Sequence, residues 1–333
     1  MLSGTDGGSI VVADAGARVL RLIGRSGHDF LWLNDSLATG RGDVQPYAFG
    51  WKNLGGDRTW IAPEADLFWS DPDDVAGTYR VPVEFDPGDF VIEATASGVS
   101  LSSVFELENR RLGGRDRLSL TKHIAPVPNP FHHARNAADC LAAEYIGYRH
   151  TATLSLLSDP RPNRRMGMWH IAQVRAPGEI LIPVSHGDAV VDYSRPADGR
   201  SCAVAEPGLV RFTVGGTFTQ KIGVKADALV GRMGFLRRCG DGLWSLIVRA
   251  FSVDPSAEYV DAPWNDSGDL GYAVQCYNDD GKLGDFGELE YHSPAIGHDT
   301  GLTSYTDSGN LWAFRAEESI IRLIASRLPA VRI

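Results

Sequence analysis

Along most of the chain, apolar residues recur at every second position. In segment 89–95 (DFVIEAT), Phe90, Ile92 and Ala94 alternate with Val91, Glu93 and Thr95. That is the pattern of a strand with one buried face. The same period, or a β-branched run, marks Arg18–Ile23, 29–33, 99–106, 115–123, 151–157, Leu209–Val214, 218–224, 243–251, 271–277 and 311–315. Turn-forming clusters separate these runs: DPGD at 86–89, ASG at 96–98, LGGRD at 112–116, DPRPN at 159–163 and DDG at 279–281. Many short strands joined by Gly, Pro and Asp turns predict an antiparallel sandwich or barrel. Two segments depart from the period. Segment 316–328 (AEESIIRLIASRL) opens on acidic residues, spaces Ile320, Ile321, Leu323, Ile324 and Leu328 as a helix would, and is followed by Pro329; it predicts an amphipathic helix. Segment 135–145 (RNAADCLAAEY) is Ala-rich and reads as a short helix or a surface turn.

Composition narrows the class. The chain has 333 residues, 43% hydrophobic and 22% charged, which excludes a disordered chain and allows a large core. No repeat and no low-complexity linker divides it, so one domain over 1–333 is expected; 131–148 reads as a crossover between two halves. Lys and Arg number 32 against 42 Asp and Glu, a net charge of −10. Nucleic acids and anionic membranes repel such a surface and are not expected partners. The N-terminal MLSGTDGGSIVVAD lacks the basic and apolar regions of a secretory signal, and no apolar run approaches the ~20 residues of a membrane helix. Cys140, Cys202, Cys239 and Cys276 form no CxxC pair. They read as thiols of a cytoplasmic protein, with no zinc or redox site. No dinucleotide, P-loop or nucleophile-elbow motif occurs, so no cofactor is expected. What stands out is 37 Gly and 18 Pro beside 8 Trp. Trp51, Trp60 and Trp69 are closely spaced, and Trp169 adjoins His170.

Three clusters carry candidate chemistry. GGDRTWIAPE at 55–64, with Trp69 beyond it, combines paired glycines with Arg58, Trp60 and Glu64. Flat apolar rings beside a few fixed polar groups suit a small-molecule pocket; a hairpin with Trp60 in the core explains the same residues. In MWHIAQ at 168–173, strand alternation points Met168, His170 and Ala172 one way and Trp169, Ile171 and Gln173 the other. His170 suits a general acid or base if a second such group lies opposite it. In FGELEYHSP at 286–294, alternation gathers Glu288, Glu290 and His292 on one face. That face is either solvated, or a polar cavity in which burial and like charge raise one Glu toward a useful base. A metal held by the same three groups is the minority reading, because they match no recognised spacing; the leading expectation is no metal. His123, His132, His133, His186, Lys225 and Trp264 read as loop or strand-end residues.

Taken in order, GGDRTWIAPE, WHIAQ at 169–173 and ELEYHSP at 288–294 resemble the galactose mutarotase-like group, the aldose 1-epimerase superfamily, and most closely its bacterial branches without assigned activity. The resemblance runs over most of the chain. It implies an all-β fold, a large antiparallel β-supersandwich with one or two short helices. It also implies a sugar site in which a late-strand Glu takes the anomeric hydroxyl proton and a strand His protonates the ring oxygen. The sugar then opens, rotates and recloses. At matching positions Glu290 is the base, His170 the acid and Arg58 the arginine for sugar hydroxyls. Trp60, Glu64, Trp69, Gln173, Glu288 and His292 are expected to shape the pocket. Two departures stand out: Trp169 where mutarotases carry Asn, and Tyr291-His292 where Thr-Gln follows the base. The leading expectation is an epimerase-type enzyme acting on a sugar or oligosaccharide, as a monomer or homodimer. A glycosidase or polysaccharide lyase on the same scaffold is the alternative, with Glu64 and Glu290 as a carboxylate pair. A sugar-binding module without catalysis is the third.

Overall fold

Period-two segments with one apolar face must pair and then stack to bury that face. The computed structural model, which describes residues 1–40, 44–47, 50–71, 73–186, 189–194, 196, 198–263, 266 and 268–328, shows two sheets of ten strands each among those residues. Trp264 lies outside the described residues. The first sheet runs Leu2–Ser3, Ser9–Ala13, Arg18–Ile23, Asp57–Ala62, Arg165–Arg175, Phe286–His292, Tyr272–Asn278, Gln220–Lys225, Val190–Ser194, with Ile296–Gly297 added beside Arg165–Arg175. The second runs Ala203–Glu206, Leu209–Val214, Gly178–Pro183, Arg232–Arg238, Trp244–Ala250, Ser304–Ala316, Glu144–Leu156, Arg115–Pro126, Val99–Glu108, Val91–Ala94. Pairing is antiparallel, as the short turns require. The expected all-β sandwich is therefore present. Leu22, Ala172 and Leu289 of the first sheet share one core with Leu118, Leu120 and Tyr148 of the second.

The outer face of the second sheet is also covered. Helix Glu318–Arg327 lays Ile321, Ile324 and Ala325 over Leu246, Phe314 and Cys140, close to the predicted 316–328. Segment 135–145 holds only the four-residue helix Ala138–Leu141 before strand Glu144–Leu156 begins. Three further four-residue helices, Asp35–Ala38, Glu64–Leu67 and Val75–Thr78, escape the periodicity, since one turn shows no period. No helix among the described residues is long and apolar enough to cross a membrane.

Two predicted strands differ. Segment 89–95 forms only Val91–Ala94, an edge strand paired solely with Val99–Glu108. Its alternation buries no face: Val91 is 58% and Ile92 43% exposed. Segment 29–33 is no strand. Isolated bridges from Asp29 to Ile23 and from Leu33 to Gly55 hold it, and Phe30, Leu31 and Trp32 are buried by side-chain packing. The paired glycines also have a structural cause. Gly55 and Gly56 take φ of +95° and +82°, and an added Cβ would meet Trp32 O or Val19 O at 2.4 Å. They serve a tight entry into strand Asp57–Ala62 rather than contact with a ligand.

Candidate functional site

Sheet order brings the three sequence clusters together. Strands Asp57–Ala62, Arg165–Arg175 and Phe286–His292 are neighbours in the middle of the first sheet. Register then decides which side chains share a face, because residues directly opposite in a sheet point the same way. Arg58 faces Ile171 and Glu290, Trp60 faces Trp169, Trp169 faces His292, and Gln173 faces Glu288. Two strands further, Lys221 pairs with Tyr277 and Tyr277 with Glu288. All these positions lie on the sheet face turned away from the second sheet. Thr59, His170 and Tyr291 line up on the opposite, interior face.

On the outer face stands a cavity of about 380 Å³, within the size range of small-molecule sites. Its lining includes Arg58, Trp60, Glu64, Glu288 and Glu290. Trp51, Tyr79, Trp169, Lys221 and Tyr277 also belong to it. Arg58 Nη2 donates to Glu288 Oε1 at 2.9 Å, and Gln173 Nε2 donates to the same oxygen at 2.9 Å. The Arg58 guanidinium carbon lies 4.2 Å from the Trp60 ring centre. Trp169 Nε1 donates to Glu290 Oε2 at 2.7 Å. Lys221 Nζ reaches Glu64 Oε2 at 3.1 Å and Glu290 Oε2 at 3.7 Å, 4.2 Å from the centre of the Trp169 ring.

Several polar atoms here are buried without a hydrogen-bond partner: Arg58 Nε and Nη1, Gln173 Oε1, Glu290 Oε1 and both ring nitrogens of His292. Such orphans are rare in folded proteins and call for an explanation. A hydroxyl-rich ligand would satisfy those at the cavity wall. Electrostatics single out one carboxyl. Burial pushes Glu290 up to about 8; Lys221 opposes the shift, Glu288 supports it, and the Trp169 hydrogen bond opposes it. Burial also works against the charge of Lys221, but Glu64, Glu290 and Asp261 outweigh it and hold the ammonium above its usual value. The cavity thus has a Lys221–Glu64 ion pair beside a Glu290 carboxyl that titrates near neutral pH.

The Glu290 shift has a measurable consequence. In the unfolded chain the carboxyl titrates near 4.5, in the folded one near 8. Between these values the folded protein holds the extra proton. The stabilisation is fully present below about 4.5 and is lost as pH rises through 8. From pH 6.5 to 8 the buried histidines and Lys122, all held below their ordinary values, contribute a slope of the opposite sign, so the carboxyl is isolated by comparison with Glu290→Gln. Over that range the unfolding free energy in urea of the wild type is expected to fall relative to that of the variant; a constant difference would contradict the shift.

The predicted residues separate into two groups. Arg58, Trp60, Glu64, Glu288 and Glu290 converge on the cavity, with Gln173 behind Glu288. His292 shares their face but stacks on Trp169, ring centres 5.6 Å apart, outside the cavity lining. Trp69 is a buried core ring stacked near Tyr79 and does not line the cavity. The expected partnership of His170 with Glu290 does not form, because the two residues face opposite sides of the sheet. His170 is fully buried, and burial, with His150 adding to it, pushes it down to about 3. Sequence reasoning missed Tyr79, Lys221 and Tyr277 as lining residues, and had Trp51 and Trp169 only through the clustering of tryptophans. A lysine near the start of a β-strand run that continues through Ile222 and Val224, as in QKIGVK, was the available signal for Lys221.

His170 belongs to a polar network between the sheets. Its Nδ1 meets Thr59 Oγ1 at 3.0 Å and its Nε2 lies 3.3 Å from Asp307 Oδ2. Tyr291 donates to Asp307 at 2.6 Å, and its hydroxyl lies 2.6 Å from His150 Nε2. His150, His170 and Asp307 bring three potential metal-ligand atoms within 4.8 Å of one another. A bound ion needs both imidazole planes aimed at it. Here the rings stack at 4.6 Å and 24°, and the Tyr291 hydroxyl fills the space beside His150 and Asp307. The arrangement fits a hydrogen-bond network better than a metal centre.

A family model described as "Family of unknown function (DUF6786)" matches residues 3–333. The chain belongs to the DUF6786 family. No protein among the curated ones matches this DUF6786 chain. Among solved structures it is similar to a galactose mutarotase-like protein from Lactobacillus casei ATCC 334, with 11% identity and a TM-score of 0.47, covering 92% of this chain and 96% of that one. It is similar also to a galactose mutarotase related enzyme from Lactobacillus acidophilus, with 9% identity, a TM-score of 0.47 and coverage of 92% and 94%. A third is a galactose 1-epimerase from Lactobacillus acidophilus NCFM, with 11% identity, a TM-score of 0.39 and coverage of 92% and 91%. The activities in those names are statements about those proteins.

Proposed function

We propose that this DUF6786 chain binds a sugar in the Glu290 cavity and interconverts its anomers by acid–base catalysis. The observation that carries the reading is Glu290 Oε1: a buried carboxyl oxygen with no hydrogen-bond partner, on a group titrating near neutral pH, in the wall of an aromatic-lined cavity. A general base works best when its pKa lies near the working pH. Glu290 takes the anomeric hydroxyl proton as the bond from the anomeric carbon to the ring oxygen breaks. The ring oxygen must gain a proton at the same time. Lys221, in the same wall and held charged, is the donor within reach, so it takes the role expected of His170. Rotation about the next carbon–carbon bond and the reverse steps give the other anomer and restore both residues. Trp60 and Trp169 contribute apolar ring surface to the cavity wall. Arg58 Nη1 offers a donor to a hydroxyl.

Glycoside hydrolysis is the second reading, favoured by Glu64 and Glu290 lining one cavity. Two carboxyls flanking a glycosidic bond are what that reaction needs. Saturation-transfer NMR over free aldoses and disaccharides tests the shared premise. Ring protons of at least one free sugar should show saturation transfer that Arg58→Ala removes. Absence of transfer for every sugar would overturn both readings.

A further inference from the structure

The Glu290 cavity has a larger neighbour. A second cavity of about 660 Å³ shares one lining residue with it, Trp51. The two differ in character. Around the Glu290 cavity, buried atoms of Arg58 and Glu290 are left without partners. Around the larger one, no described lining residue carries a buried orphan, and Leu54, Leu67, Val81, Pro82, Val83 and Leu107 make much of the wall. Three of its polar groups are engaged with the protein, and exposed Lys52 and Glu108 with half-buried Glu84 complete the lining. Asp86 accepts from Arg18 at 2.7 Å and from the indoles of Trp51 and Trp60 at 3.0 and 2.9 Å. Arg110 Nη1 donates to the carbonyls of Phe68 and Thr78, and Arg80 Nη1 to that of Tyr79. Val83 is 70% exposed, although it is apolar.

We infer that the ligand of the Glu290 cavity is a sugar carrying an apolar acyl or alkyl substituent, and that this substituent lodges in the larger cavity across Trp51. The inference rests on the reading of the Glu290 cavity as a sugar site. Each methylene moved from water onto such a wall is favourable. A second sugar ring would bring hydroxyls that need partners, and most of the lining is apolar. The substituent sits on an oxygen other than the anomeric one, because anomer exchange requires that hydroxyl free.

The test compares glucose and galactose with their four monohexanoyl esters and with maltose and lactose, by calorimetry on the full chain. At least one ester is expected to bind tenfold or more tightly than its parent sugar. Val83→Asp, an exposed position outside the catalytic cavity, should return that ester to the parent's affinity and leave the parent's unchanged. Leu54→Asp serves as a second variant with the same expectation. If no ester gains over its parent, or the gain survives both variants, the inference is overturned while sugar binding stands. A gain by maltose or lactose that depends on Val83 would assign the cavity to a second ring and also overturn it. Failure of parents and esters alike, with no other free sugar showing saturation transfer, removes the sugar reading itself, and the inference with it.

Discussion

Replacing Glu290 by Gln is expected to slow anomer exchange by about 10²-fold or more, with sugar affinity changed by less than about threefold. The substitution keeps the shape of the side chain and an oxygen to accept from Trp169 Nε1, which lies 2.7 Å from Glu290 Oε2. Lys221 keeps its shorter contact, to Glu64 at 3.1 Å. What disappears is the group that can take and return a proton. A 10²-fold loss corresponds to about 2.7 kcal/mol of transition-state stabilisation. The pH profile carries the same information independently. A base must be deprotonated to act, so the wild-type rate should rise with pH to a midpoint near 8, where Glu290 loses its proton. Line-shape or exchange NMR of anomeric protons measures both. Equal loss of binding and rate would make Glu290 a binding or structural group. An undiminished rate would remove it from the mechanism.

Asp57→Asn is expected to cost about 3–5 kcal/mol of folding stability, because it leaves buried cations without their counter-charge. Asp57 stands on the interior face of the strand that presents Arg58 outward, and it is fully buried. Both of its oxygens accept from Arg249 Nη2 at 3.2 Å, and Tyr148 donates to it as well. Burial opposes its charge, but Arg249, Lys122 and His150 outweigh burial and hold the carboxyl below its usual range. The contribution is therefore present above the ordinary aspartate pKa and is lost as pH falls. Arg249 also donates to Leu289 O at 2.9 Å, so the pair ties the second sheet to the strand that carries Glu290. Urea unfolding of Asp57→Asn, with exposed Asp35→Asn as a control expected within ~0.5 kcal/mol, measures the effect. A loss below ~1 kcal/mol would show that the buried ion pair does not hold the sheets in this way.

Local pattern made much of this molecule readable. Alternation in 168–173 already placed Trp169 and His170 on opposite faces, and alternation in 286–292 gathered Glu288, Glu290 and His292. What it could not show is which of the two faces of 168–173 joins which face of 286–292. That depends on pairing between strands more than a hundred residues apart. A one-residue shift in register exchanges the faces, and so His170 was matched to Glu290 while Trp169 occupies the position facing the cavity. The family resemblance pulled the same way, since it looks for a histidine at that point. Lys221 was hidden for a related reason. Its strand joins the site only through Tyr272–Asn278, two places away from Glu290 in sequence-independent order. Segment 89–95 shows the reverse error. Its alternation is real, but an edge strand with no sheet against it has nothing to bury.

The central claim is that the cavity of Arg58, Trp60, Trp169 and Glu290 turns over a free sugar. Two-dimensional exchange NMR of a panel of aldoses, with and without wild-type protein, tests it most directly. The expected result is saturable acceleration of α/β exchange for at least one sugar, absent with Glu290→Gln at the same concentration. Binding without acceleration for any sugar, or acceleration that Glu290→Gln leaves intact, would contradict it.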